Sequence, residues 1–226
     1  MANETMTRQT IHRIATRMAA LTGAAILALL AVFGSWQLGQ GLYMTAKAQL
    51  AFLLIDKAWA ETLEDGKPHK AWRWADAWPV AEIEVARLGK REVALSNASG
   101  EALAFAPGLV AGSAKPGARG LSVFAAHRDS HFAFLQFIRI GDEIRVTDMA
   151  ARQYRYIVSK TEIVDVRTSG LDPRQDQGIA LVTCYPFEAL THGPLRFVVR
   201  ADRIIEAYSS TSDLTAFSVN VRQVIE

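Results

Sequence analysis

The chain has 226 residues, half of them apolar, with 25 basic and 23 acidic residues for a net charge of +2. This is enough for one domain of ordinary size with an appendage, and the basic residues form no block that would mark a nucleic-acid footprint. A single cysteine, Cys184, excludes an intrachain disulfide.

From Met18 to Ala46 there is no charged residue, and MAALTGAAILALLAVFGSWQLG is rich enough in Ala, Leu, Ile, Val and Phe to cross a bilayer, which needs ~20 apolar residues. The uncharged run outlasts the roughly 7–15 residues of a signal-peptide core, so it predicts an uncleaved anchor over residues 18–42. Arg8, Arg13 and Arg17 precede it, and only Lys47 follows before Asp56. The positive-inside rule then keeps residues 1–17 in the cytoplasm and the remaining chain outside, with Trp36 and Tyr43 at the outer interface.

Residues 43–80 are expected to hold a juxtamembrane helix and a tryptophan-rich linker. KAQLAFLLIDKAWAETLE (47–64) has apolar residues at helical spacing, and Asp65-Gly66-Lys67-Pro68 ends it. Trp72, Trp74 and Trp78 follow, and tryptophans so placed pack a linker onto a domain more often than they form a carbohydrate or lipid platform. From Ala81 the pattern becomes short apolar segments separated by Gly, Pro, Asn and Asp. Strands are predicted at 81–88, 91–97, 121–127, 143–148, 153–160, 161–168, 179–184 and 195–202, with one short helix in HFAFLQFI (131–138). That spacing argues for a mainly β chain, a closed or nearly closed antiparallel-rich barrel over 81–205. The tail, 206–226, is polar and then weakly alternating, and has no assigned role.

Cys184 closes the apolar strand IALVTC, and Pro186 cannot extend that strand because it lacks an amide proton. A thiol there is an inert buried filler, a bridge to another chain or a nucleophile. A nucleophilic thiol, with a free pKa of ~8.5, draws on a neighbouring imidazole to reach the thiolate at neutral pH. Of the five histidines, His12 lies in the cytoplasmic segment and His69 in the linker. His127 closes LSVFAAH as Cys184 closes IALVTC, and it ranks above the loop residue His192. His131 lies in the polar loop RDSH. His127 and His131 have no evident third partner for zinc. Acyl transfer also needs a group to stabilise the oxyanion. Arg196 meets that need if IALVTC and LRFVVRA pair as a hairpin, being nearer the cysteine than Arg200 on the same face.

FAAHRDSHFAFL, LVTCYPF and GPLRFVVRA together resemble the sortases, cysteine transpeptidases with a histidine after one strand, a cysteine in a TLxTC-like strand end and an arginine on the next strand. With LAFAPG (103–108) and the tryptophan linker, the chain is in detail similar to the sortase class of Gram-negative bacteria. The departures are Ala126, where glycine is common before the histidine, and Ala180, where the TLxTC pattern begins with threonine. The resemblance covers about residues 47–203 and implies a sortase-like eight-stranded barrel. It further implies that Cys184 attacks a threonine-like carbonyl in a carboxyl-terminal LPxTG-like sorting signal of a secreted protein. His127 would protonate the leaving amine, and Arg196 would hold the oxyanion or the peptide. Thr183 and Ala126 would line the substrate site, Asp129 would orient the loop, and an amine acceptor of unidentified type would resolve the thioester. The implied location is the inner membrane, with the catalytic domain on the periplasmic side. No metal or other cofactor is expected, and a calcium requirement has no support in the sequence. Two rival readings are an L,D-transpeptidase, whose cysteine is not followed by Tyr-Pro-Phe, and a tethered β-domain that binds a partner.

Overall fold

The computed structural model describes residues 2–168, 170, 177–189, 191 and 193–204, with side chains ahead of residue 29 described at a few positions only. The chain divides into two compact units, Met1–Leu54 and Ile55–Glu226. His192 and the tail 206–226 lie outside the described residues.

The first unit is helical, the amino-terminal part of a helix α1 that runs over Ala2–Asp65. The expected juxtamembrane helix is therefore not a separate element but the end of α1. Among the described residues no helix is long and apolar enough to cross a membrane, so the anchor expected over 18–42 is not supported. The side chains of residues 19–22, 24, 25 and 28 lie outside the described set.

In the second unit α1 ends at Asp65, beside Gly66 with a φ of +71°. Trp59 packs there with Ile55, Ala77, Val93 and Leu95, and its indole Nε1 donates to Glu82 at 2.9 Å. Trp72 meets Phe105 edge-on at 5.3 Å, which is the packing role expected of the linker. Trp74 is 82 % exposed and does not share that role.

Eight strands follow: β1 (Pro79–Val85), β2 (Lys90–Leu95), β3 (Gly108–Leu109), β4 (Leu121–Ala125), β5 (Glu143–Asp148), β6 (Gln153–Asp165), β7 (Gly178–Cys184) and β8 (Leu195–Arg203). They close into a barrel in the order β1-β2-β3-β4-β7-β8-β6-β5. All neighbours are antiparallel except β2 with β3 and β4 with β7. The period-2 pattern does what it should: Ala81, Ile83 and Val85 of β1 are buried with Ile144, Val146, Phe124, Ile179, Leu181 and Val199 inside the ring.

Three details differ from the sequence expectation. The two segments 153–160 and 161–168 form one strand, β6 (Gln153–Asp165), whose register against β8 shifts between Val158 and Lys160, just past the end of its pairing with β5 at Ile157. The missing count is made up by β3, too short to show a periodicity. It sits so close to the preceding segment that a Cβ on Gly108 would lie 2.2 Å from the Asn97 carbonyl oxygen, and only glycine fits. The short helix expected over 131–138 is a 3₁₀ helix confined to Ala133–Phe137, with Phe134 and Leu135 buried.

Candidate active site

Alternation assigns the two faces of β4, β7 and β8. Ile179, Leu181 and Thr183 of β7 face the barrel interior with Phe124 and Ala126, whereas Ala180 and Val182 belong to the opposite face with Val123 and Val198. Cys184, two residues after Val182, continues that outer face and is half-buried. Its thiol is free.

Cys184 and Arg196 are direct partners across the antiparallel β7–β8 ladder. On the other side of β7, β4 runs parallel, with Ala125 beside Val182, and the Ala126 amide donates to the Val182 carbonyl at 3.2 Å. His127 follows at once and is exposed. The three residues singled out in the sequence thus come to the same end of three adjacent strands.

Arg196 donates through Nη1 to the carbonyls of Gly193 at 2.7 Å and Leu195 at 2.9 Å. Its Nε and Nη2 have no hydrogen bond among the described residues, which leaves donors for an incoming oxyanion or peptide carbonyl. A groove of about 410 Å³ runs from this end along the outer face. Val110, Val123, Val164, Val182 and Val198 line it, with Arg196 at one end and Glu162 and Arg200 further along. Glu162 accepts from Lys160 at 2.6 Å and from Arg200 at 3.1 Å. Lys160 first, and Arg200 with it, hold the Glu162 carboxyl below its ordinary range.

Thr183 and Ala126, expected to line the substrate site, face inward. Thr183 is 2 % exposed and Ala126 is 6 % exposed, and the Thr183 hydroxyl donates to the Ala126 carbonyl at 2.8 Å. The pair is a buried tie between the strand ends that carry Cys184 and His127. Asp129 is exposed in the turn after His127. His131, left open between loop and helix start, contacts Glu92 through Nδ1 at 2.8 Å. The Cys184 loop is held by an aromatic set in which Phe197 stands 5.4 Å from Phe187 and 6.4 Å from Tyr185.

Sequence reasoning missed Arg128. It stands next to His127, and its Nη2 donates to the carbonyls of Ala189 and, at 3.0 Å, Thr191 in the loop after Cys184. The only signal for it was the HRD triplet.

A family model described as the sortase domain matches residues 83–204. The chain belongs to the sortase family. Among curated proteins it is similar to sortase D of Bacillus subtilis, with 29% identity over 91 residues, 39% of this chain and 46% of that protein, so the match spans about half of the relative's length. Among solved structures it is similar to sortase A from Corynebacterium diphtheriae, with a TM-score of 0.51 and 23% identity over 62% of this chain and 66% of that one. A Clostridium perfringens sortase D5 transpeptidase gives a TM-score of 0.50 and 20% identity over 66% and 89% of the two chains. At these identities the structural likeness carries the sortase fold alone.

Proposed function

We propose that this sortase is a cysteine transpeptidase acting on a carboxyl-terminal, LPxTG-like sorting signal of a secreted protein, of the kind found in Gram-negative bacteria. The observation that carries this reading is the convergence of Cys184, Arg196 and His127 at one end of β7, β8 and β4, with Arg196 also lining the groove.

In the proposed reaction the Cys184 thiolate attacks the carbonyl of the threonine-like residue. An S–C bond forms, the carbonyl oxygen becomes an oxyanion, and the free donors of Arg196 stabilise it. His127, protonated, gives its proton to the leaving amine as the C–N bond breaks, leaving a thioester on Cys184. An acceptor amine then attacks the thioester, loses a proton to His127 and expels the thiolate; water in the same role gives hydrolysis. The apolar valine-lined groove suits the leucine and proline of such a signal. Thr183 and Ala126 contribute by fixing the strand ends.

The same reading puts the domain on the periplasmic side of the inner membrane. The arginine-flanked uncharged run from Met18 to Ala46 supports it, and fractionation of the full chain tests it. For the chemistry, the test is capture of a peptide adduct on Cys184 by mass spectrometry, with an LPxTG-type peptide and Cys184→Ala as control. An adduct on the native chain alone supports the reading, and its absence across a panel of such peptides sinks it.

A further inference from the structure

We propose that Arg128 is a positioning residue that sets the placement of His127 against Cys184. The inference rests on the catalytic reading above, and it begins with how the neighbours of His127 are fastened. On one side, Ala126 accepts the hydrogen bond of Thr183, the residue just before Cys184. On the other side, Arg128 donates to Ala189 and Thr191, five and seven residues beyond Cys184. His127 therefore lies between two residues tied to the two segments that flank the cysteine.

A single guanidinium nitrogen serves both carbonyls, so the loop after Cys184 is gripped at two points from the position next to His127. That same loop ends at Gly193 and Leu195, whose carbonyls accept from Arg196. One clamp thus joins the segments bearing all three reacting side chains. Stability alone does not account for it. The other terminal nitrogen, Nη1, is buried and has no hydrogen-bond partner among the described residues. A buried charged donor without an acceptor is unfavourable, and an apolar side chain of similar shape would avoid it. What an apolar side chain cannot do is hold two carbonyls at fixed places.

The turn itself is prepared for this role. The Phe132 amide donates to the His127 carbonyl at 3.1 Å, the Phe132 ring is fully buried, and His131 is held by Glu92. The backbone after His127 therefore has little freedom, and a force applied at Arg128 is carried to the imidazole.

The experiment measures alkylation of Cys184 by iodoacetamide as a function of pH, which needs no peptide substrate. It compares the native chain with His127→Ala, Arg128→Ala and Arg128→Lys, each first checked for folding by circular dichroism. His127→Ala is expected to slow alkylation at neutral pH on the order of tenfold. Arg128→Ala is expected to follow the His127→Ala profile, and Arg128→Lys to lie close to Arg128→Ala, because an ammonium lacks the planar fork. Millimolar guanidinium is expected to restore part of the rate in Arg128→Ala and none in His127→Ala. If Arg128→Ala does not fold, Arg128→Lys alone decides. An Arg128 variant whose profile overlays the native one, while His127→Ala departs from it, overturns the clamp and leaves the catalytic reading standing. A His127→Ala profile identical to the native one overturns both.

Discussion

Replacing Thr183 by valine should loosen the tie between the two strand ends that carry Cys184 and His127. The side chain is 2 % exposed, and its hydroxyl donates to the Ala126 carbonyl at 2.8 Å. Valine keeps the volume but leaves that carbonyl without its donor in the barrel interior. The lost hydrogen bond and the desolvated acceptor together cost about 1–3 kcal/mol. For a unit spanning Ile55–Glu226, each kcal/mol lowers the melting temperature by roughly 2–4 °C, so a mid-range loss is worth about 4–8 °C. Thr183→Ser keeps the hydroxyl and removes one methyl, a cost of about 1 kcal/mol. Thermal melts followed by circular dichroism, with urea titrations as a second measure, should rank the native chain first, serine next and valine last. A valine variant that melts with the native chain, or a serine variant that falls as far as valine, would refute the tie.

Other outcomes follow from the same geometry. Arg196→Lys should reduce turnover of a sorting-signal peptide by about 10²-fold through loss of oxyanion donors, and native turnover in that variant would remove Arg196 from the reaction. Gly108→Ala should destabilise by about 3 kcal/mol, because its Cβ would lie 2.2 Å from a backbone oxygen; an unshifted urea midpoint would contradict the close approach. Glu143 is held at about 2, against an ordinary 4.5, first by Arg155 and then by Arg145. Its folded value lies below the unfolded one, so its contribution is complete above pH ~4.5 and is lost as the pH falls from there towards 2. Urea midpoints measured down that range should therefore fall less in Glu143→Gln than in the native chain. Arg87→Ala should cost about 2 kcal/mol by leaving the buried Asp142 carboxylate without its guanidinium partner, and an unchanged midpoint would mean that the pair contributes nothing.

The barrel was legible wherever a strand was long enough to alternate, as in AEIEV, EIRVTD and IALVTC. β3, at two residues, offered no period to read, and the bulge inside β6 looked like a break because Ser159 and Lys160 put two polar residues together. The site was legible in its reacting groups because cysteine, histidine and arginine at strand ends announce themselves by type and position. Thr183 and Ala126, expected to line the substrate site, are buried, a placement that the period of two separating Thr183 from Cys184 already implies for Thr183. Arg128 was invisible as a clamp because its acceptors are carbonyls, which every residue carries, and the loop that brings them near is 61 and 63 residues away in the chain.

The ring of strands also bears on how a peptide is held. Even the short β3 stretch is continued by the Val110 amide on the Val123 carbonyl and the Ala114 amide on the Leu121 carbonyl, at 2.8 and 3.0 Å. Within that ring, β7 is paired with β4 on one side and with β8 on the other, so it offers no open row of amides onto which an extended guest chain can zip. A guest lying over β7 is therefore read by side chains and loop atoms, so that its sequence, more than its capacity to become a strand, decides whether it stays there.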